Sequence, residues 1–335
     1  VRYRIRPSET TEVRQDYFFM KRLIVNITAI FLVLPALLAG VFFLTSIGHG
    51  QSPEPSKPLQ TEPRRLVKPT ILIIDRVGKP NSDEAILSAA AANLALSNEA
   101  VWTFGAKEQH GWYLYAPLIG RMLGTEDGPA TKGFALALAR WQQTAGFNPT
   151  GVLDEDSLNA MVGKWQAARI KNRDVAPAEQ LVTVSATEFY DPERLEELRQ
   201  LERTTYAAYQ RMLAAALKDP SLHLVQTSDG KLAGTEKYLK IISAFRSREY
   251  QEKLRRQSPN AGRAGLAVNS PHFTGRALDL YVGGDPVDTR DANRAFQIHT
   301  PVYQWLVRNA ERFGFRPYFY EPWHWEYVGD ESKQQ

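Results

Sequence analysis

The spacing of apolar and polar positions changes several times along the chain, and each change marks an element. Residues 23–47 contain no charged side chain, and Asn26 is their strongest polar interruption. A run of about 20 apolar residues spans a bilayer as a helix, whereas the apolar part of a secretory signal is about 7–15 residues long. The pattern therefore predicts a single uncleaved transmembrane signal anchor. Between 83 and 166 the apolar residues fall into short helical groups: residues 85–96 are Ala-rich, and 129–144 carry Phe134, Leu136, Leu138 and Trp141. Leu195, Leu198, Leu201, Tyr209, Met212, Leu213 and Leu217 recur at helical spacings and predict one long amphipathic helix over 192–217. Thr300 as a cap, Pro301 at the first position and Gly314 as a stop predict another over 300–313.

Elsewhere the period is two. In residues 276–282 (RALDLYV), Ala277, Asp279 and Tyr281 share one face of a predicted strand. In residues 323–328 (WHWEYV), His324 and Glu326 share one face, with Trp323, Trp325 and Tyr327 on the other. A third apolar run, 238–245, predicts a strand that delivers Arg246 at its end. Helices followed by strands, with no βαβ rhythm, predict an α+β domain with a mainly antiparallel sheet. The expected organisation is a basic tail (1–22), the transmembrane segment (23–47), a linker (48–82), a small all-helical domain (83–166), a polar linker (167–179) and the α+β domain (180–330). The first linker carries Pro53, Pro55, Pro58 and Pro63, which predict an extended spacer. Its run Ile71–Leu72–Ile73–Ile74 belongs either to that spacer or to an edge strand of the next domain.

Charge sharpens the topology. The formal net charge is +4, and residues 1–22 hold six basic against three acidic side chains. Most of the excess positive charge thus sits in a short tail, which argues against a nucleic-acid partner. Placed before an apolar span, it predicts a cytoplasmic tail, with the remainder on the periplasmic or extracytoplasmic side of the cytoplasmic membrane. The chain has no Cys, so disulfides and thiolate zinc sites are excluded.

Candidate chemistry lies in two short stretches, 270–279 (SPHFTGRALD) and 321–327 (EPWHWEY). His272, Asp279 and His324 are two imidazoles and a carboxylate, the ligand count of a catalytic zinc site, and Glu321 is a nearby carboxylate. A histidine in a Trp-rich strand commonly just packs, while an Asp in an apolar strand is costly to bury without a partner. On the residues alone, both readings stay open. His49, His110, His223 and His299 have no companion at ligand spacing.

These stretches resemble the paired signatures of the LAS-type metallopeptidases, the group that contains the VanY-type D-alanyl-D-alanine carboxypeptidases. Ser270, His272, Gly275, Ala277 and Asp279 match the first signature, and Glu321, Trp323 and His324 the second. Residues 243–247 (SAFRS) are similar to an upstream family segment, departing from it at Ala244 and Phe245 but keeping Arg246. The resemblance spans roughly 180–328. It implies Zn²⁺ held by His272, Asp279 and His324, Glu321 as general base and later acid, and Arg246 facing the developing oxyanion. It also implies peptidoglycan stem peptides ending in D-Ala-D-Ala as substrate, with interior or L,D bonds as alternatives within the same fold. Residues 138–161 resemble the second half of the small helical peptidoglycan-binding domain, through Trp141, Gln142, Gly146, Phe147, residues 150–154 and Leu158. Gly151 suits a turn with positive φ, and Asp154 a cap for a helix beginning at Glu155. A non-catalytic, membrane-anchored peptidoglycan-binding protein is the contrasting reading. Glu321 weighs against it, because a scaffold has no use for a base.

Overall fold

In the computed structural model, residues 83–258 and 266–329 are described. The chain divides into two units, Val1–Leu66 and Val67–Gln335, and every described residue belongs to the second. Among the described residues no helix is long and apolar enough to cross a membrane. The predicted anchor at 23–47 lies outside them.

Helix α1 (Asp83–Glu99) buries Ile86, Ala89, Ala90, Asn93 and Ser97, one face at three- and four-residue spacing. It is followed by β1 (Val101–Phe104) and β2 (Lys107–His110), paired antiparallel. This hairpin corrects the expectation of an all-helical segment. Its strands are only four residues long, too short to show a period. The turn uses Gly105 and Ala106, both at positive φ, without the Asn-Gly pair that usually announces such a turn. Tertiary contact holds it: Trp102 is buried, its indole N–H donates to the Gly111 carbonyl (2.8 Å), and its ring meets Tyr115 edge-on.

Helices α2 (Ala116–Leu123), α3 (Lys132–Thr144) and α4 (Glu155–Ala167) complete this part. Thr131 caps α3 through Phe134 N–H, and Asp154 caps α4 through Ser157 N–H at 2.8 Å, the cap expected from the sequence. Gly151 has φ 66°.

The catalytic-type half begins with β3 (Leu181–Thr183), paired to β4 (Gln200–Glu202), and continues with α5 (Arg203–Leu217). The single helix predicted over 192–217 is therefore shorter. Leu201, spaced as if helical, is instead fully buried in β4 opposite Val182, and a 3₁₀ turn at Glu196–Leu198 precedes it. Strand pairing satisfies the backbone there, and the Glu202 carboxylate caps α5 through Thr204 and Thr205 N–H.

The main sheet has the order β5 (Ile241–Ser243), β6 (Ala277–Leu280), β8 (His324–Tyr327), β7 (Phe315–Pro317), with every neighbouring pair antiparallel. Helix α6 (Arg248–Gln257) follows β5, and α7 (Asp291–Ile298) and α8 (Pro301–Asn309) lie between β6 and β7. Thr300 caps α8, and a 3₁₀ turn runs on to Gly314. The α+β class with an antiparallel sheet is thus observed. Leu278 faces Trp325 across β6 and β8, and Tyr303 of α8 meets Trp325 with ring centroids 6.4 Å apart. One sheet face is closed by helix α8. The opposite face, by strand alternation, carries Asp279, His324 and Glu326.

The helical residues and the sheet share one hydrophobic core, running from Trp102, Trp112 and Phe134 to Trp325 and Tyr327. Phe104 of the hairpin packs on Phe319 (4.7 Å) and Tyr320 (5.5 Å), and Trp165 of α4 stacks on Phe319 (5.7 Å).

Candidate metal centre

The first donor is set by a local turn. Ser270 caps a 3₁₀ turn, Pro271–Thr274, by accepting from His272 N–H (3.3 Å), and Pro271 takes the position that needs no donor. Gly275 ends the turn at φ 63°. A Cβ there would lie 2.8 Å from the Glu202 backbone nitrogen, so both the φ and the space require glycine. His272 is buried, with Nδ1 2.7 Å from the Ala244 carbonyl. A carbonyl only accepts, so Nδ1 carries the proton and Nε2 presents its lone pair. That atom lies 3.4 Å from Asp279 Oδ2.

The other two donors come from paired strands. Asp279 on β6 stands directly opposite His324 on β8, and Ala277 opposite Glu326. His324 Nδ1 is 2.9 Å from Asp279 Oδ1, while Nε2 is 3.1 Å from Glu326 Oε1. The donor atoms of His272, Asp279 and His324 all lie within 4.8 Å of one another, and all three side chains are buried.

The electrostatics separate the two imidazoles. Burial and the Arg246 charge push His272 down to about 4, keeping it neutral. Burial opposes the charge on His324 too, but hydrogen bonds to Asp279 and Glu326 outweigh it and hold the ring up to about 9. The protonated ring donates to one carboxylate from each nitrogen, and Nδ1 is the nitrogen that would give up its proton to hold a metal. Asp279 resists burial because His272, His324 and Arg246 hold its carboxyl well below the usual range. Two imidazoles and a carboxylate form a donor set suited to zinc.

Arg246 sits at the end of β5, as expected. Its Nη2 donates to Asp279 Oδ2 (2.7 Å), Nε to Ser243 Oγ (2.9 Å) and Nη1 to Gln251 Oε1 (3.4 Å). The guanidinium is thus turned onto a ligand carboxylate, with two of its five N–H groups left over. Glu321 stands outside the three-donor group, in a turn where its N–H donates to Tyr318 and its carbonyl accepts from His324 N–H (2.9 Å). Its carboxyl is buried and is pushed up to about 8 by desolvation, while the charges of His324 and Arg246 pull the other way. Ser270 serves the turn. Trp323 packs inside.

Arg169 is the residue that sequence reasoning missed. It lies in the predicted polar linker, yet its Nε and Nη2 both donate to Glu326 Oε1 (2.9 and 2.5 Å). Nothing local distinguishes it from Lys164, Lys171 or Arg173. Glu326, fully buried, is held down to about 2: burial opposes the charge, and His324 and Arg169 outweigh burial.

An α+β domain with two imidazoles and a carboxylate converging beside a buried glutamate defines a metallohydrolase-type site. Residues 198–330 match the family model of VanY, D-alanyl-D-alanine carboxypeptidase. A zinc-bound variant of the vancomycin-resistance D,D-pentapeptidase VanY from a VanB-type resistance cassette is similar among solved structures. It shows 21% identity and a TM-score of 0.29, with 50% of this chain and 90% of that chain covered. No curated protein matches the chain.

Proposed function

We propose that the protein is a membrane-anchored zinc carboxypeptidase that removes the terminal residue from D-Ala-D-Ala-ended stem peptides of peptidoglycan. The observation that carries this reading is the convergence of His272 Nε2, an Asp279 oxygen and His324 Nδ1 next to a buried, uncommitted base. These three side chains would hold the zinc, which when bound supplies a Lewis acid and lowers the pKa of water.

Glu321 takes the proton from the attacking water at its carboxylate and returns one to the leaving amine. Its desolvated carboxyl is a strong base for a glutamate. Arg246 holds Asp279 in place, and its two remaining N–H groups offer a fixed positive charge to an oxyanion. Residues 23–47 keep the enzyme at the membrane, residues 48–82 act as a spacer, and the helical segment contacts peptidoglycan. The family-model match over residues 198–330 and the agreement of anchor, spacer and wall-binding-like segment support this arrangement.

The test is mass spectrometry of purified muropeptides incubated with the full chain in detergent. Loss of one terminal alanine from pentapeptide stems is the expected product. Release of longer fragments would make it an endopeptidase, and no product with zinc present would leave a non-catalytic binding protein. Deletion of residues 1–47 should move the protein from the membrane pellet to the soluble fraction; a truncated protein that still pellets when folded would refute the anchor.

A further inference from the structure

Glu326 receives its partners from two distant places. From its own strand, His324 Nε2 reaches Oε1 at 3.1 Å. From the end of the helical half, Arg169 donates twice to Oε1, and the Ile170 backbone N–H donates to Oε2 at 2.9 Å. Arg169 is itself fixed: Nη1 donates to Gln166 Oε1 (3.0 Å), and the guanidinium lies 3.8 Å from the Tyr318 ring centroid. Tyr318 in turn meets the His324 ring edge-on at 5.8 Å, and its N–H donates to the His324 carbonyl. Trp165, one turn earlier, stacks on Phe319, next to the turn that carries Glu321.

We propose that Arg169 is a positioning residue for the metal centre: acting through Glu326, it fixes the orientation of the His324 ring, so the helical half is part of the catalytic unit. This rests on the assignment of His324 as a metal ligand. An imidazole binds metal through one nitrogen in the direction set by the hydrogen bond of the other. The Glu326 carboxylate is that second partner, and it is fully buried, where an ionised oxygen needs compensating donors. Arg169 directs two N–H groups of one planar guanidinium onto the single oxygen Oε1, a geometry that an ammonium cannot reproduce. Without it, Glu326 keeps only the Ile170 N–H on Oε2, and Oε1, the acceptor for His324 Nε2, loses the group that fixes it. Nδ1 is then no longer held toward Asp279.

The test uses the full chain in detergent, with zinc affinity read by chelator competition and geometry by the visible spectrum of the cobalt-substituted protein. Arg169→Ala should weaken zinc binding about 10–100-fold, the usual size of such an effect, and should lower kcat more than KM on a D-Ala-D-Ala-ended peptide. Glu326→Gln should do the same. Combining the two should cost no more than Glu326→Gln alone, because both act through one contact. Arg169→Gln, which keeps a polar side chain with an N–H donor but is shorter and uncharged, is the second variant should the alanine form fail to fold. It should weaken zinc binding and change the cobalt spectrum. Wild-type zinc affinity and spectrum in Arg169→Gln would overturn the proposal, as would full additivity of Arg169→Ala with Glu326→Gln. A wild-type chain that binds neither zinc nor cobalt would instead overturn the metal assignment, and the proposal with it.

Discussion

Two buried polar networks, one in each half of the molecule, obey opposite rules. In the helical half, Gln142, Asn93, Thr150 and Ser157 are buried and uncharged. Gln142 Oε1 accepts from Gly151 N–H (2.9 Å), and its Nε2 donates to the Val152 carbonyl (2.9 Å) and to Ser157 Oγ (3.0 Å). Asn93 accepts from Leu153 N–H and donates to the Gly151 carbonyl, both at 2.8 Å. Side chain and backbone satisfy each other, and the loop before α4 is closed. In the sheet half, His272, Asp279, His324, Glu326, Arg246, Arg169 and Glu321 bring ionisable groups together, and the donor atoms of the first three all lie within 4.8 Å of one another. A neutral network that is complete holds shape. A charged one with two imidazole nitrogens aimed at one carboxylate is built to bind something, and that difference marks the site more sharply than burial does.

The comparison is tested most severely by the ligands. His324→Ala should lose both zinc and activity, whereas Glu321→Gln should keep a full equivalent of zinc while kcat falls by about 10²–10⁴-fold. Metal analysis of both variants, beside their rates, checks this. A fast Glu321→Gln enzyme would point to another base.

A second contrast is pH. In the zinc-free protein, the His324 ring stands at about 9, above its ordinary value of 6.5, and the Glu321 carboxyl at about 8, above 4.5. Both groups bind protons more tightly folded than unfolded, so both contributions are lost as pH rises. The zinc-free protein should therefore lose the Glu321 contribution between about pH 4.5 and 8 and the His324 contribution between about pH 6.5 and 9, seen as a falling urea midpoint. The slope should flatten in His324→Gln, since the larger alkaline contribution leaves with the ring. An unchanged slope in that variant would remove His324 from the account. The neutral network has no such dependence.

Gln142→Ala should cost about 1–3 kcal/mol, because it strands the buried Gly151 N–H. Urea denaturation measures the loss, and zinc affinity should stay at the wild-type value. The smallest effect is expected at Asp154, where replacement by Ala removes one cap and should cost about 1 kcal/mol with kcat unaltered. A drop in kcat there would show that strain in α4 reaches the metal centre through Arg169.

Much of the site could be read along the chain. Alternation placed Asp279 with Ala277 and His324 with Glu326, and the paired strands set them opposite one another. Thr300, Asp154 and Gly314 act as cap, cap and stop through hydrogen bonds within a few residues, which is why their types are informative. The His272, Asp279 and His324 group also lay within two short motifs. Legibility ended where an element depends on what covers it. The hairpin at Val101–His110 is held by Trp102 against Tyr115, and β4 replaces helix because Leu201 meets Val182.

The sequence by itself determined the donor types, the strand faces and the helix ends, since each follows from periodicity or from a hydrogen bond to a near neighbour. Only the tertiary structure decided that Arg246 turns onto Asp279 and that Arg169 meets Glu326 from 157 positions away. The physical reason is that a linker arginine and a solvated one look alike in sequence. The choice between them depends on whether a buried carboxylate comes within reach, and chain folding alone brings the two together.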